Sequence, residues 1–306
     1  MTSTSSMRDT GSFMSFGALR FSPEQLRRDF DRRPFLIEHD LCDHPLLQLP
    51  RLIELARSLP ESSVEFNSGD LPVNQPAHLT PRTGLSIEQT LLQIESARSW
   101  MVLKYIEEDP EYAKLLDSCL DPLQPLIEEV RPGMCRRHAF VFVSSPGSVT
   151  PYHVDFEHNF LLHLRGVKQM TVWDGENRKF MSEVDRERKL SGDPRNLEYR
   201  EEFAEHGQRF ELRPGMGLQV PLSSPHWVKV GDQVSVSLSV TFLSRNGARL
   251  RTLHCFNAGL RKRGFQPREV GSSRAMDNMK FAAARVLDRV QRVTARLRRV
   301  PQKDLE

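Results

Sequence analysis

The sequence predicts a mainly β chain with a helical region at each end, and three observations predict it. After Pro132 the chain breaks into short runs rich in Val, Phe and Ser/Thr, separated by Pro and Gly at Ser145–Ser148 (SPGS), Leu164–Val167 (LRGV) and Arg213–Gly217 (RPGMG). Many short strands with such punctuation make a β-barrel or sandwich. Before that point, and again after Arg245, apolar residues recur at three- and four-residue steps, the period of a helix with one buried face.

Taken in order, residues 1–18 are rich in Ser and Thr and read as a disordered leader without an apolar core, unlike a secretory signal. Residues 19–131 form a mostly helical region. Ser22 followed by Pro23 is a helix start. Phe35–Leu41 is a short β-like run. Helical periods follow over 49–59, 87–106 and 109–130, the last interrupted by prolines, with a loop over 68–84. Residues 132–245 carry the β runs 139–145, 160–164, 168–173, 210–212, 217–222, 227–230 and 233–243. The charged stretch 181–206 is a helix-and-loop insert on the rim of this barrel. Residues 246–306 turn helical, and 278–300 form an amphipathic helix with Met279, Ala283, Val286, Val290, Val293 and Leu297 on one stripe.

Composition removes several classes of function. The net charge is +3 over 306 residues. The basic excess is local: residues 274–300 hold eight Arg or Lys against Asp277 and Asp288. The body of the chain therefore lacks the basic field of a nucleic-acid binder. The apolar stripe of the last helix favours packing against a partner subunit, a homodimer, over phosphate binding by its arginines. The four cysteines, Cys42, Cys119, Cys135 and Cys255, show no metal-like spacing and read as reduced thiols of a cytoplasmic protein. No apolar run is long enough to span a membrane.

The chemistry gathers at Thr150–Asn159 (TPYHVDFEHN) and at Ser224–Trp227 (SPHW). His153 and Asp155 stand two apart. On a strand that spacing puts both on one face, roughly 7 Å apart at the backbone. His226 follows a turn over Pro221–Pro225 and supplies a distant third donor. Two imidazoles and one carboxylate form the facial triad of non-haem Fe(II) oxygenases, which leaves three positions of an octahedral ion open. A His-x-Asp pair alone is common by chance; the accompanying pattern raises its value. Lys168 opens a run whose alternate members include Met170 and Val172. A lysine on that face is costly to bury unless an anion pairs with it, and a dicarboxylate such as 2-oxoglutarate fits. Thr150 adds a hydroxyl donor. Asn159, Leu161 and His163 continue the Asp155 face of a regular strand, with Asn159 placed to donate an amide near the ion. His163 is a contact or a satisfied barrel histidine, with the latter favoured. Glu157 shares the face of Asp155 and competes with it; His158 points the other way.

Over Ser145–Lys168 and Arg213–Val228 the chain resembles the Jumonji-C branch of the cupin superfamily. It is especially similar to the bacterial cupin-like domain proteins and to the asparaginyl hydroxylase that acts on hypoxia-inducible factor. The resemblance covers residues 35–270. It implies a double-stranded β-helix (jelly-roll, cupin) core with N-terminal helices and dimerising C-terminal helices. It implies Fe(II) at His153, Asp155 and His226, and 2-oxoglutarate at Lys168 and Thr150 with Asn159 nearby. A further polar residue comes from the strand after Val234, either Ser239 or Thr241, with Ser239 preferred. His163 stands where the bacterial relatives tend to have Gln. The expected activity is a 2-oxoglutarate-dependent dioxygenase. It uses O2 to hydroxylate a protein or peptide side chain or a small metabolite, with succinate and CO2 as co-products. The alternatives are a non-catalytic cupin-like binding or regulatory module and a Zn- or Mn-dependent isomerase.

Overall fold

From Ser235 to Leu243 the chain alternates Ser or Thr with Val, Leu or Phe, and the computed structural model shows what each half of the alternation meets. It describes residues 13–298, with side chains through 290. Val236, Leu238, Val240 and Phe242 enter the main apolar core. Ser235, Ser237, Ser239 and Thr241 are equally buried but face the other way.

This run is the last of thirteen strands among the described residues. The first five are β1 (Met14–Phe16), β2 (Leu19–Phe21), β3 (Phe35–His39), β4 (Val64–Ser68) and β5 (Ser99–Lys104). The next four are β6 (Cys135–Ser144), β7 (Val149–His153), β8 (His158–Arg165) and β9 (Lys168–Val172). The last four are β10 (Gln208–Leu212), β11 (Met216–Val220), β12 (His226–Val230) and β13 (Ser235–Leu243). They build a nine-stranded sheet in the order β1-β2-β3-β11-β8-β13-β6-β5-β4 and a four-stranded sheet in the order β10-β9-β12-β7. Every pairing is antiparallel. Strands β6 to β13 are dealt between the two sheets as in a jelly roll, the double-stranded β-helix expected. Leu161, Leu218 and Val220 of the larger sheet meet Met170, Val172, Leu212 and Val228 of the smaller in the space between them. That inner face is where the functional residues sit.

Helices cover the outer face of the larger sheet's core cluster: α1 (Pro23–Asp29), α2 (Leu49–Ser58), α3 (Ile87–Leu92), α4 (Pro110–Leu120) and α5 (Gln124–Val130). The Ser22 hydroxyl accepts from the Gln25 amide at 3.3 Å, so the Ser-Pro start caps α1 as read from sequence.

Three expectations need correction. The region 19–131 is not mostly helical, since β2 to β5 lie in it. The helical period over 87–106 ends at Leu92 and becomes a strand, β5. Trp100 to Lys104 pair with β6 on one side, and Ser99 to Leu103 with β4 on the other. Met101 and Leu103 are fully buried in the core, so the sheet overrides a weak periodicity. The leader expected over 1–18 contains β1; residues 1–12 lie outside the described residues.

Contacts divide the chain into two units, one of 1–181 with 195–245 and one of 182–194 with 246–306. Most of the helix in the segment expected as a rim insert thus groups with the C-terminal helices. The second unit holds α6 (Glu183–Leu190), α7 (Arg245–Arg261, which begins in the first unit) and α8 (Arg274–Arg298). No helix among the described residues is long and apolar enough to cross a membrane.

Candidate metal centre

His153 ends β7 and His226 opens β12, and the two face each other directly across the ladder. Their rings lie 4.1 Å apart at the centroids, tilted by 60°. Asp155 is not on the strand. It stands two residues past the end of β7, in an irregular segment, so the sequence argument from strand alternation is corrected. What fixes Asp155 is the loop around it. Its carbonyl accepts from the Ser223 amide at 3.1 Å, and the neighbouring Val154 amide donates to the Arg195 carbonyl at 3.2 Å. The donor atoms of His153, Asp155 and His226 all lie within 4.8 Å of one another, and His226 Nε2 is 3.8 Å from Asp155 Oδ2.

Both imidazoles are held in one way. His153 Nδ1 donates to the Pro151 carbonyl at 2.7 Å, and His226 Nδ1 donates to the Ser224 carbonyl at 2.9 Å. A ring whose Nδ1 carries the proton presents a lone pair at Nε2, the arrangement a metal needs. Burial, helped by His153, pushes His226 down to about 4, so it stays neutral and ready to ligate at neutral pH. Burial alone raises the Asp155 carboxyl. Arg195, His153 and His226 outweigh that and hold it below the ordinary carboxylate range. The donor set fits a divalent transition ion.

Arg195 is the residue that sequence reading missed. Its Nη1 lies 2.6 Å from Asp155 Oδ1, and its guanidinium also reaches Glu157 at 3.3 Å. One carboxylate oxygen of Asp155 is therefore taken, and Oδ2 faces His226. The same arginine occupies Glu157, which also accepts from the Phe156 amide, so this competitor is turned to other partners. The charged segment 181–206 drew attention as a whole, but nothing in it singled out position 195. His158 points away as expected, packing on Phe30 and Phe242 with Nε2 at the Ser244 hydroxyl.

Lys168 begins β9 opposite Leu212 and Val230 and shares the inner face with Met170 and Val172. It is only 5% exposed, and no carboxylate or hydrogen-bond acceptor pairs with it among the described residues. Burial pushes its ammonium down to about 7. A buried amine without a counter-ion is costly, and an anionic ligand removes the cost. The turn that delivers it needs Gly166, at φ +76°, where a Cβ would meet the Val234 carbonyl at 2.5 Å.

Thr150 reaches the inner face through an irregularity. Regular alternation puts positions 150 and 153 on opposite faces. The β7–β12 register shifts between His226 and Val228, so that His226 faces His153 while Val228 faces Thr150. This one-residue bulge returns Thr150 to the face of His153. Asn159 lies on the inner face of β8, where the Ser239 hydroxyl donates to its Oδ1 at 2.5 Å. That bond leaves the Asn159 NH2 free to donate toward the interior. Thr241 instead donates to the His138 carbonyl. His163 is fully satisfied. Nε2 donates to the Gly166 carbonyl at 3.0 Å and Nδ1 accepts from Ser237 at 2.9 Å, while burial and Lys168 push it to about 3. The structural role favoured for it fits these bonds.

No protein-family model matches the chain, and no curated protein matches it. Among solved structures it is similar to the X-ray structure of E. coli ycfD, at 16% identity over 92% of this chain and 68% of that one, with a TM-score of 0.48. Escherichia coli YcfD, a ribosomal oxygenase, in complex with cobalt and 2-oxoglutarate matches at 16% identity over 92% and 67%, with a TM-score of 0.47. The DMSP lyase DddQ from Ruegeria pomeroyi DSS-3 matches at 16% identity over 35% and 38%, with a TM-score of 0.23. At such values these likenesses add no weight to the geometry above.

Proposed function

We propose that this chain is an Fe(II)- and 2-oxoglutarate-dependent dioxygenase that hydroxylates a protein or peptide side chain or a small metabolite. One observation carries the reading: the inner face of one barrel holds a two-histidine, one-carboxylate cluster and a buried ammonium without a counter-ion. Either alone is weak. Together they describe a site for a metal and an acid.

In this reading His153, Asp155 and His226 hold the iron. Lys168 pairs with the far carboxylate of the oxoacid, Thr150 gives it a hydroxyl, and Asn159, oriented by Ser239, donates its amide beside the metal. When bound, iron and 2-oxoglutarate supply O2 activation coupled to oxidative decarboxylation, with succinate and CO2 released. The chain's own part is orientation and a dry wall. Leu161, Met170 and Val228 line the interior between the sheets and exclude water around the paired charges. Arg195 holds Asp155 Oδ1, which leaves Oδ2 as the single oxygen offered to the ion.

A homodimer is part of the proposal. Met279, Val286 and Val290 on the stripe of α8 are 60%, 62% and 52% exposed within one chain, which supports a partner covering them. The free state of Cys42, Cys119, Cys135 and Cys255 supports a cytoplasmic setting. The isomerase reading is disfavoured because it leaves Lys168 unexplained.

The test is conversion of 2-oxoglutarate to succinate by Fe(II)-loaded protein in air, followed by mass spectrometry, with and without peptide substrates. Succinate formation even without substrate, abolished by Asp155→Ala, is the expected result. Oxoacid binding to the Mn(II)-loaded protein with no succinate under any condition favours the non-catalytic module.

A further inference from the structure

The helical unit carries a second cluster of donors. Glu183 and Glu187 stand four apart on α6, on one face of that helix. His254 lies on α7. The donor atoms of the three lie within 4.8 Å of one another. Glu183 is 6% exposed, Glu187 1% and His254 4%, so the cluster is buried.

Two features separate it from an ordinary buried ion pair. His254 Nδ1 lies 3.1 Å from Glu183 Oε1, yet the two do not line up as a hydrogen bond, and no hydrogen bond reaches that nitrogen. Two donors at that distance are spaced like neighbouring ligands of one ion, and Glu183 Oε1 also accepts from the Val270 amide at 3.4 Å. Glu187 is likewise half used. Arg261 Nε takes Oε2 at 2.6 Å, while Oε1 is buried with no donor. A fully buried carboxylate oxygen without a donor is costly. Arg261 holds one oxygen of Glu187 and Glu183 has further interactions of its own, so the donors left without a hydrogen bond are His254 Nδ1 and Glu187 Oε1. Arg186 is also buried on α6 but has its own interactions.

We infer that Glu183, Glu187 and His254 form a second divalent-cation site, of the Zn(II) type, which ties α6 to α7. Imidazole nitrogen and carboxylate oxygen are both zinc ligands, and three protein donors leave the fourth position of a tetrahedral ion to a water. The unit has a reason to need it. None of the apolar clusters among the described residues includes a residue of 182–194 or 246–290. Small units without an apolar core are held by metals or other cross-links. The site does not depend on the barrel reading.

The experiment uses the full chain, stripped with chelator, in which His153→Ala and Asp155→Ala have removed the barrel donors. Zn(II) is titrated calorimetrically and Co(II) is followed by visible absorption. One equivalent per chain is expected, with a Co(II) spectrum lacking thiolate charge transfer and a melting temperature raised by saturating Zn(II). Adding Glu187→Gln or His254→Gln, both near-isosteric, removes that equivalent and the thermal shift. The inference is overturned if the doubly substituted chain binds no equivalent, or if it binds one that survives both further substitutions. Far-ultraviolet circular dichroism of the metal-free variants confirms that each is folded, so loss of metal is not loss of structure.

Discussion

The two His-and-carboxylate clusters of this protein use similar residues in opposite ways. In each, an arginine holds one oxygen of one carboxylate: Arg195 on Asp155 and Arg261 on Glu187. In the barrel the histidines are fixed by backbone carbonyls two residues earlier, and the Asp155 side chain is 26% exposed. In the helical unit His254 has no such anchor, and the Glu187 side chain is 1% exposed. A centre that must admit co-substrate and oxygen needs rigid donors and an open side. A structural ion needs enclosure and can organise its own ligands on binding. The barrel cluster also has Lys168 on its inner face, while the helical one has no unpaired cation among its described neighbours. The surroundings, more than the donor atoms, distinguish the two clusters.

The largest effect that tests this contrast is Asp155→Ala. Changes around metal ligands alone cost about 10–100-fold in affinity or activity, so loss of this ligand is expected to cost at least the upper figure in succinate formation. Inductively coupled plasma analysis should show one metal fewer per chain, with the helical ion retained. Loss of both ions together would mean that the two clusters are not separate sites.

Next is Lys168→Met. A hydrogen bond to a charged group contributes about 1.5–3 kcal/mol, so 2-oxoglutarate affinity should fall roughly 10- to 100-fold by calorimetry on the Mn(II) form. The same variant should melt higher than wild type without ligand, because it removes a buried charge that has no partner. A lower melting point would show that Lys168 has a stabilising partner in the empty protein.

The pH dependence is smaller. Burial lowers Lys168 from 10.5 to about 7. Below pH 7 the oxoacid meets a ready ammonium. Above it, binding must take up a proton, so affinity should fall by up to about tenfold per pH unit. Stability runs in the opposite sense. The folded-state value lies below the unfolded one, so the empty protein gains stability as pH rises from about 7 toward 10.5, a slope absent in Lys168→Met. An oxoacid affinity that stays flat from pH 6 to pH 9 counts against the lysine as its anchor.

The smallest effect belongs to Arg195→Gln. Removing a positive charge beside the ion should raise divalent affinity by no more than about tenfold, on the scale of a half-exposed charge pair screened by solvent. Competition against a Mn(II) signal in electron paramagnetic resonance measures it. Weaker binding instead would show that the arginine acts chiefly by placing Asp155.

By itself the sequence determined the barrel, most of its strands and the residues that meet inside it. Its β runs alternate faces and its turns carry Pro and Gly, and both signals are local. His153, His226, Lys168 and Asn159 reach the inner face because strand period and core burial leave them no other side. Tertiary structure decided what depends on pairing between distant segments. The bulge that returns Thr150 to the face of His153 exists only in the β7–β12 ladder. Asp155 is placed by a loop held against Ser223 and Arg195, not by its strand. The residues of β5 carry a helical spacing, yet two neighbouring strands recruit them. The meeting of Glu183 and Glu187 with His254 joins residues about seventy positions apart, and no local pattern on either helix names the other. Short-range periodicity fixes which way a side chain points; only the packed fold fixes what it points at.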